Sequence, residues 1–424
     1  MKAHHVLALA LLPTLASAQE VYLKVTTPGL QRVMMGIPRP GGPAAGLPGV
    51  AEFDATLRTD LAHTAVIAVV ADDRAGMVEV DARDAKLTRQ RWRSVGAQFF
   101  LELSPSAAGD RFTVEARLWD LVTGEITFSR RLAGTSALAA TVAHTLANEL
   151  VRTFTGRPGP FLSRIAFATD RSGARELWLM RWDGSEPQQL TNHKSIALGP
   201  AFSPDGQWLA FTSYLRGKPQ LFALRPTQGY IKPISTLPGV NSSPSFSPDG
   251  RRVVFAAGDD GNTDIYVTDT TGSTPERLTV ARAIETQPTW SPNGRQIAFT
   301  STMSGSPQLY VMDAEGTNVR RLTTTDVFAD EASWAPDGVR LAYTTMVEQH
   351  FQVAILDLRD GSRTVVGGPG NNESPTFSPD GTSLAFVSNR TGSKQIFVTG
   401  PDGVPLQITR AGNNTGPSWV AQVQ

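Results

Sequence analysis

The side chains best suited to catalysis or metal binding are few in this sequence and badly spaced for either. Of six histidines, His4 and His5 fall in the first five residues, while His63, His144, His193 and His350 are scattered over the rest. A zinc site of the H-E-x-x-H kind sets two histidines on one helix face, and no such run occurs. A serine nucleophile needs the sharp G-x-S-x-G turn that lifts its hydroxyl clear of a sheet, and that is absent too. The chain has no cysteine, so thiolate chemistry and disulfides are both excluded. No G-x-x-x-x-G-K-S/T loop is present to cradle a phosphate. Acidic residues are plentiful, but Asp183-Gly, Asp205-Gly and Asp402-Gly are turn pairs, in which the carboxylate bonds nearby backbone and glycine supplies positive φ. His144 lies on a helical run, where packing or capping is its expected role. No cofactor, no metal and no enzymatic activity are expected, and binding becomes the function to look for.

The elements that would position a binding surface are visible as a repeat. Phe202-Ser-Pro-Asp-Gly206, Phe246-Ser-Pro-Asp-Gly250, Trp290-Ser-Pro-Asn-Gly294, Trp334-Ala-Pro-Asp-Gly338 and Phe377-Ser-Pro-Asp-Gly381 stand 44, 44, 44 and 43 residues apart. Each is a tight-turn signal. Each is followed by an apolar strand such as Leu209–Thr212 or Ile297–Thr300, a polar turn, a second strand such as Leu309–Met312, and a short third one such as Arg321–Thr323. With the strand carrying the aromatic anchor, that makes four short strands per repeat, the content of a propeller blade. The strands are apolar almost throughout, which means that both faces are covered. Before the first anchor, Ile165–Ala168, Leu177–Met180 and Gln189–Thr191 supply three strands without a fourth. The missing one stands at the far end, where Pro417-Ser-Trp419 matches Pro288-Thr-Trp290. The ring is therefore expected to have six blades and to close by pairing the last strand with the first blade, which removes open sheet edges.

Ahead of the propeller, residues 19–155 do not repeat. Val50, Phe53, Leu57 and Leu61 recur at helical spacing, as do Leu138, Val142, Leu146 and Leu150. Strands are expected at 66–70, 99–103, 112–119 and 126–132, the last two joined by the turn Asp120–Gly124. The result is a small α/β domain with a mixed sheet. Pro38–Pro48 reads as a loop, residues 156–160 (Gly-Arg-Pro-Gly-Pro) as the joint, and 161–424 as the propeller. Residues 1–18 read as a secretory signal peptide: Lys2, the apolar stretch Val6–Leu15, and a small-residue cleavage site at Ala16-Ser17-Ala18, with Gln19 as the first mature residue. That site lacks the cysteine a lipid anchor would need. No window is apolar for the roughly 18 residues that a membrane helix requires. The 39 basic and 39 acidic side chains balance, which argues against a nucleic-acid-binding surface.

Three stretches carry a resemblance. They are Arg117-Leu-Trp-Asp-Leu-Val-Thr-Gly-Glu125, Ala143-His-Thr-Leu-Ala-Asn-Glu149 and the run from Phe154 to Phe167. With a signal peptide, an α/β domain, a Pro/Gly joint and a six-bladed ring in that order, the chain resembles the TolB family, the periplasmic component of the Tol–Pal cell-envelope system. The Pro38–Pro48 loop departs from the family pattern. The resemblance implies a monomeric periplasmic protein with two protein partners and a part in outer-membrane invagination at division and in envelope integrity. It implies that the lipoprotein Pal binds one mouth of the propeller, at the loops before the anchor strands: Leu198-Gly199, Val240, Asn241, Ser242 and Ser243, Glu285, Thr286 and Gln287, Asp330 and Glu331, Asn371 through Glu373 and Ser374, and Asn413, Asn414 and Thr415. It implies that TolA takes the arm Gln19–Val25, with Glu20, Val21, Tyr22 and Leu23 at its centre. From the residues alone, these loops are also readable as solvated turns and the arm as a plain first strand. Two other classes stay open: a hydrolase or lyase with its site in the channel, which would need clustered ligands on one face, and a glycan binder. The second would favour exposed tryptophans, whereas Trp290, Trp334 and Trp419 stand at anchor positions expected to be buried.

Overall fold

The Ser-Pro-Asp-Gly turn works as a small hydrogen-bonded knot that starts each blade's second strand. In the first copy, Ser203 Oγ donates to Asp205 Oδ1 at 2.6 Å and accepts the Trp208 N–H at 2.9 Å. Gly206 has φ 70°, and a Cβ there would come within 1.8 Å of the Gln422 carbonyl oxygen, so the position tolerates only glycine. The Ser–Asp or Ser–Asn contact recurs at Ser247, Ser291 and Ser378.

The computed structural model describes residues 32–78, 84–259, 261–271, 273–400 and 403–423. The signal segment with Ala18 and Gln19, and the arm Gln19–Val25, lie outside the described residues. In the second half, six four-stranded antiparallel sheets form. Blade two, for example, runs from an inner strand Ala197–Phe202 through Leu209–Ser213 and Gln220–Arg225 to an outer strand Tyr230–Ser235. Every residue of Leu209–Ser213, Leu384–Ser388 and Gln395–Thr399 is buried, as the continuous apolar runs require of blades stacked on both faces. Blade one takes its inner strand from the end of the chain: Asn414–Val420 pairs antiparallel with Arg164–Ser172, with Trp419 opposite Ile165 and Thr415 opposite Ala168.

The front domain is a five-stranded mixed sheet. Its elements are β1 (Val33–Gly36), α1 (Val50–Ala62), β2 (Ile67–Val69), α2 (Asp72–Ala75), α3 (Ala85–Ser94), β3 (Phe99–Ala108), β4 (Arg111–Asp120), β5 (Ile126–Thr135) and α4 (Ala139–Thr155). The strand order is β2-β1-β3-β4-β5. Strand β1 lies parallel to β2 and β3, and the remaining pairs are antiparallel. Helices α1 and α4 bury Leu57, Leu61, Leu146 and Leu150 in one cluster with Phe112 and Val114 of β4. Trp92 of α3 packs with Val70 and Phe100 in a second cluster. The Pro38–Pro48 loop contains a short 3-10 turn, Gly42–Gly46.

The two parts share a core. Phe161, Ile165, Trp182 and Trp419 of the propeller fall in the same apolar cluster as Leu57, Leu61 and Val151 of the front domain. Gly156 ends α4 in the left-handed conformation, φ 76°, the usual helix stop. Among the described residues, no helix is long and apolar enough to cross a membrane.

Candidate partner-binding face

Each inner strand is broken by a bulge, and the six bulges meet around the central channel. The residues at the break are Gly199, Ser243, Gln287, Glu331, Ser374 and Gly416, with φ between 50° and 57°. At each break the register of the inner strand against its neighbour shifts. Left-handed backbone costs an ordinary residue roughly 1–2 kcal/mol. Four of the six positions nonetheless carry a side chain, so the ring holds a strained conformation of the kind that collects at functional sites. These six residues and their successors, among them Pro200, Pro244, Pro288, Pro375 and Pro417, line a channel cavity of about 280 Å³.

Most residues before the bulges are strand and not loop residues, which corrects the expectation from the sequence; Asn371 and Asn413 alone stay in the connecting turns. Val240, Glu285, Asn372 and Asn414 are the first residues of the inner strands themselves. Asn241, Glu285 and Asn414 are fully buried, because their side chains tie one blade to the next. Asn414 Nδ2 donates to Gln395 Oε1 at 2.9 Å, and Gln395 Oε1 also accepts from Thr409 Oγ1 at 2.8 Å. Asn241 Nδ2 donates to the Leu237 carbonyl at 2.8 Å and Asn241 Oδ1 accepts from Ser235. Asn371 Oδ1 accepts the Phe351 N–H at 3.0 Å. Glu373 is paired with Lys394. Val240 is exposed, and Ser242, Thr286, Asp330, Glu331, Asn371 and Glu373 are half-buried, so they retain some solvent access.

Glu331 reaches across to blade six. Its carboxylate accepts from Thr344 Oγ1 at 2.7 Å, from the Ser374 N–H at 2.8 Å and from Ser374 Oγ at 2.9 Å. Burial, and next the charge of Asp330 beside it, push the Glu331 carboxyl above its ordinary range, against those hydrogen bonds. Asp330 is likewise pushed up by burial while accepting from Thr300 Oγ1 at 2.8 Å. A charge reversal at Glu331 would therefore attack the fold and not merely the surface. Glu331→Ala is expected to cost about 2–3 kcal/mol, since it strands buried donors. Glu331→Gln keeps an acceptor and should cost about half as much; urea denaturation checks both values.

The blade ends differ between the two faces. The turns that join second to third strands, and fourth strands to the next inner strand, share one rim. On it, Val280 is 78% and Val327 74% exposed, and Ile196, Leu215, Val240 and Ile284 are exposed as well. The front domain sits at the opposite ends of blades one and six. There, Arg181 Nη2 donates to Thr141 Oγ1 at 2.9 Å, the His63 ring meets Trp182 edge-on with centroids 5.3 Å apart, and a cleft of about 160 Å³ is lined by His63, Val151, Pro160 and Asp380. The apolar rim is thus the open one.

The histidines do not converge. His63 bonds Thr59 O at the end of α1 through Nδ1, His144 is buried on α4 against Asp60, and His350 begins a strand of blade five. Among the described residues, no group of three or more His, Asp and Glu side chains could hold a metal ion. Trp290, Trp334 and Trp419 are buried and present no stacking platform for a sugar. Sequence reasoning did not single out the bulge ring itself. The signal was available in the proline that follows five of its six members.

The chain matches two family models. Residues 151–363 and 331–423 match the TolB beta propeller domain, and residues 21–127 match the TolB amino-terminal domain. Among curated proteins, the Tol-Pal system protein TolB of Desulfosudis oleivorans is 33% identical over 231 residues, covering 53% of this chain and 52% of that protein. The Tol-Pal system protein TolB of Syntrophotalea carbinolica is 35% identical over 211 residues, covering 47% and 48%. The chain thus matches about half the length of these relatives. The crystal structure of TolB from Acinetobacter baumannii superposes with a TM-score of 0.80 at 24% identity, over 92% of this chain and 97% of that one, a likeness of fold. The family's amino-terminal domain stands ahead of its propeller, in the order and over the residues described above, and the chain belongs to the TolB family.

Proposed function

We propose that this protein is a periplasmic binding component of the Tol–Pal system. In this reading the lipoprotein Pal docks on the open rim of the propeller, TolA takes the arm Gln19–Val25, and the assembly supports outer-membrane invagination at division and envelope integrity. The observation that carries the proposal is the rim: exposed Val280, Val327, Ile196, Leu215, Val240 and Ile284 surround a channel mouth whose wall holds six left-handed residues. Apolar side chains gathered at one mouth and left uncovered mark an interaction surface, and loops on a rigid scaffold are where binding residues concentrate. The half-buried Thr286, Asp330, Glu331 and Glu373 lie just inside that rim and supply polar contacts, while Asn241, Glu285 and Asn414 act by holding it in shape. The matches to curated Tol-Pal proteins support the system.

The test uses two valines that make no contribution to the core. Val280→Glu with Val327→Glu should weaken Pal binding at least tenfold by calorimetry, because interface energy is concentrated in a few apolar positions. Tyr230→Glu, at the exposed start of an outer strand at the other face, should leave it unchanged. Unaltered Pal affinity in the folded double variant would place the partner elsewhere.

A further inference from the structure

Buried polar knots tie successive blades, and their make-up varies around the ring. In most of them a residue at the start of a third strand, a hydroxyl after the fourth strand and the residue two places before the next bulge meet in a buried cluster. Between blades six and one these are Gln395, Thr409 and Asn414, and the Asn414 amide donates to Gln395 Oε1 at 2.9 Å. Between blades five and six, the Asn372 amide donates to Gln352 Oε1, also at 2.9 Å. Where alanine stands at that inner-strand position, the third-strand residue accepts from the hydroxyl, as in Thr323 Oγ1 to Gln308 Oε1 at 2.7 Å, and Glu176 also accepts the Lys194 N–H at 2.8 Å. Between blades three and four, two acids stand in the amide positions, Asp264 and Glu285. Asp264 is 3% and Glu285 1% exposed. Asp264 Oδ2 is engaged by Arg277 at 2.6 Å and by Asn262 Nδ2 at 3.2 Å. Asp264 Oδ1 and Glu285 Oε2 are both buried without a hydrogen-bond partner.

Two ionised carboxylates cannot make the bond that the amide makes in the knots on either side of blade six, since an ionised carboxylate only accepts. Buried polar atoms are nearly always paired, and each exception needs a cause. One hydrogen answers for both bare oxygens. We propose that Glu285 and Asp264 share a proton, which takes the place of the amide N–H and clips the rim segment between blades three and four to the ring. Arg277 already donates to Asp264, so the proton belongs on Glu285. The charged groups that bear on Glu285 are Asp264 and Arg277, with hydroxyls of Thr279 and Ser301 also in contact. Burial first, and then the charge of Asp264, push the Glu285 carboxyl above its ordinary range, in the direction the geometry requires.

The clip acts on the rim through the backbone. The Glu285 N–H donates to Thr263 Oγ1 at 3.1 Å, and the Ile284 N–H donates to Thr302 Oγ1 at 3.0 Å. The strand start that follows exposed Val280 and Ile284 is thus fastened at both neighbours of the acid pair. A carboxyl whose folded value is raised stabilises the fold fully below the ordinary glutamate range, and that contribution is lost as pH rises through the raised value. Alkaline conditions should therefore loosen this part of the rim first.

The experiment reads the proton directly, without a partner. In uniformly folded protein with carbon-13 glutamate, the Glu285 carboxyl should titrate above the ordinary range, as Glu331 also should, and Glu285→Gln should remove the Glu285 signal alone. Glu285→Gln replaces the proton with an amide N–H that cannot ionise. From acid to alkaline pH, the melting temperature of wild type should fall by several degrees relative to this variant. In Glu331→Gln, which removes the other raised glutamate, the absence of any glutamate titrating above the ordinary range would overturn the shared proton, even if Glu285→Gln failed to fold. A rise in wild-type melting temperature on adding calcium chloride, absent in Glu285→Gln, would also overturn it, in favour of a bound cation. Because none of these readings uses Pal, they stand or fall separately from the partner-binding proposal.

Discussion

A chain cut after Asn413 is expected to lose the cooperative unfolding of the propeller. The last strand, Asn414–Val420, is the inner strand of blade one, and its side chains fasten three other parts of the fold. Asn414 completes the knot with Gln395 and Thr409. Trp419 is buried and its Nε1 donates to Ser163 Oγ at 2.6 Å, beside the joint. Ser418 Oγ accepts the Phe202 N–H of blade two at 3.3 Å. Without this strand, Arg164–Ser172 becomes an unpaired edge facing the channel, a template for aggregation. Trp419→Ala alone should cost about 3–5 kcal/mol, a large share of the roughly 5–15 kcal/mol by which domains are stable. Thermal and urea unfolding followed by circular dichroism measures both; an unchanged midpoint in the truncated chain would refute the closure.

That closure is legible in the sequence because its parts are local. Ser-Pro-Asp-Gly demands its residue types at each position of the turn, and strands covered on both faces need apolar residues throughout. The front domain was less legible. Helix α3 reads Ala-Lys-Leu-Thr-Arg-Gln-Arg-Trp-Arg-Ser and buries only Thr88 and Trp92, too thin a stripe to announce a helix. Strand β1 is four residues long and offers no period to count. The sequence pattern predicts that β3 stops at Leu103, ahead of Pro105. It continues to Ala108 because β1 pairs only with Phe99 and Phe100, which leaves Pro105 on a free edge where its missing N–H is harmless.

The repeat position was legible and the roles of its side chains were not. Val240 and Asp330 read alike in sequence with Asn241 and Glu285, since all four precede an anchor strand. What separates them is a contact made 19 or 20 residues away in other blades, such as Asn414 with Gln395 and Asn372 with Gln352. No local pattern reports such a contact. The repeat itself holds the clue, because the position two residues before each bulge carries Ala197, Asn241, Glu285, Ala329, Asn372 and Asn414. Alanine and buried amides at equivalent places suit a packed knot better than a solvated loop.

Asp60→Ala is the other substitution expected to act strongly, and its effect should depend on pH. Asp60 lies on α1 and His144 on α4, both fully buried, with His144 Nδ1 2.8 Å from Asp60 Oδ2. The second ring nitrogen faces blade one, 3.7 Å from Asp183 Oδ2, so the pair stands where the two domains meet. Removing one member of a buried pair typically costs about 3–5 kcal/mol, because the other is left uncompensated. Burial pushes the Asp60 carboxyl up to about 6; His144 and Arg181 pull it down, and Asp183 pushes it further up. The folded value lies above the ordinary one of 3.8. The folded chain therefore takes up a proton that the unfolded chain does not, and the resulting stabilisation is complete below that ordinary value. It is lost as pH climbs through about 6. Asp60→Asn cannot ionise and should lack this dependence. Unfolding midpoints of wild type and Asp60→Asn, compared from acid to neutral pH, should separate as pH rises, with wild type losing ground. A constant difference would mean that Asp60 does not change protonation when the chain folds. Loss of the pair should also loosen the front domain against blade one before the far blades, since Arg181 to Thr141 and His63 against Trp182 are the neighbouring contacts that remain. Hydrogen exchange resolved by segment would then show α1 and α4 opening ahead of the blades.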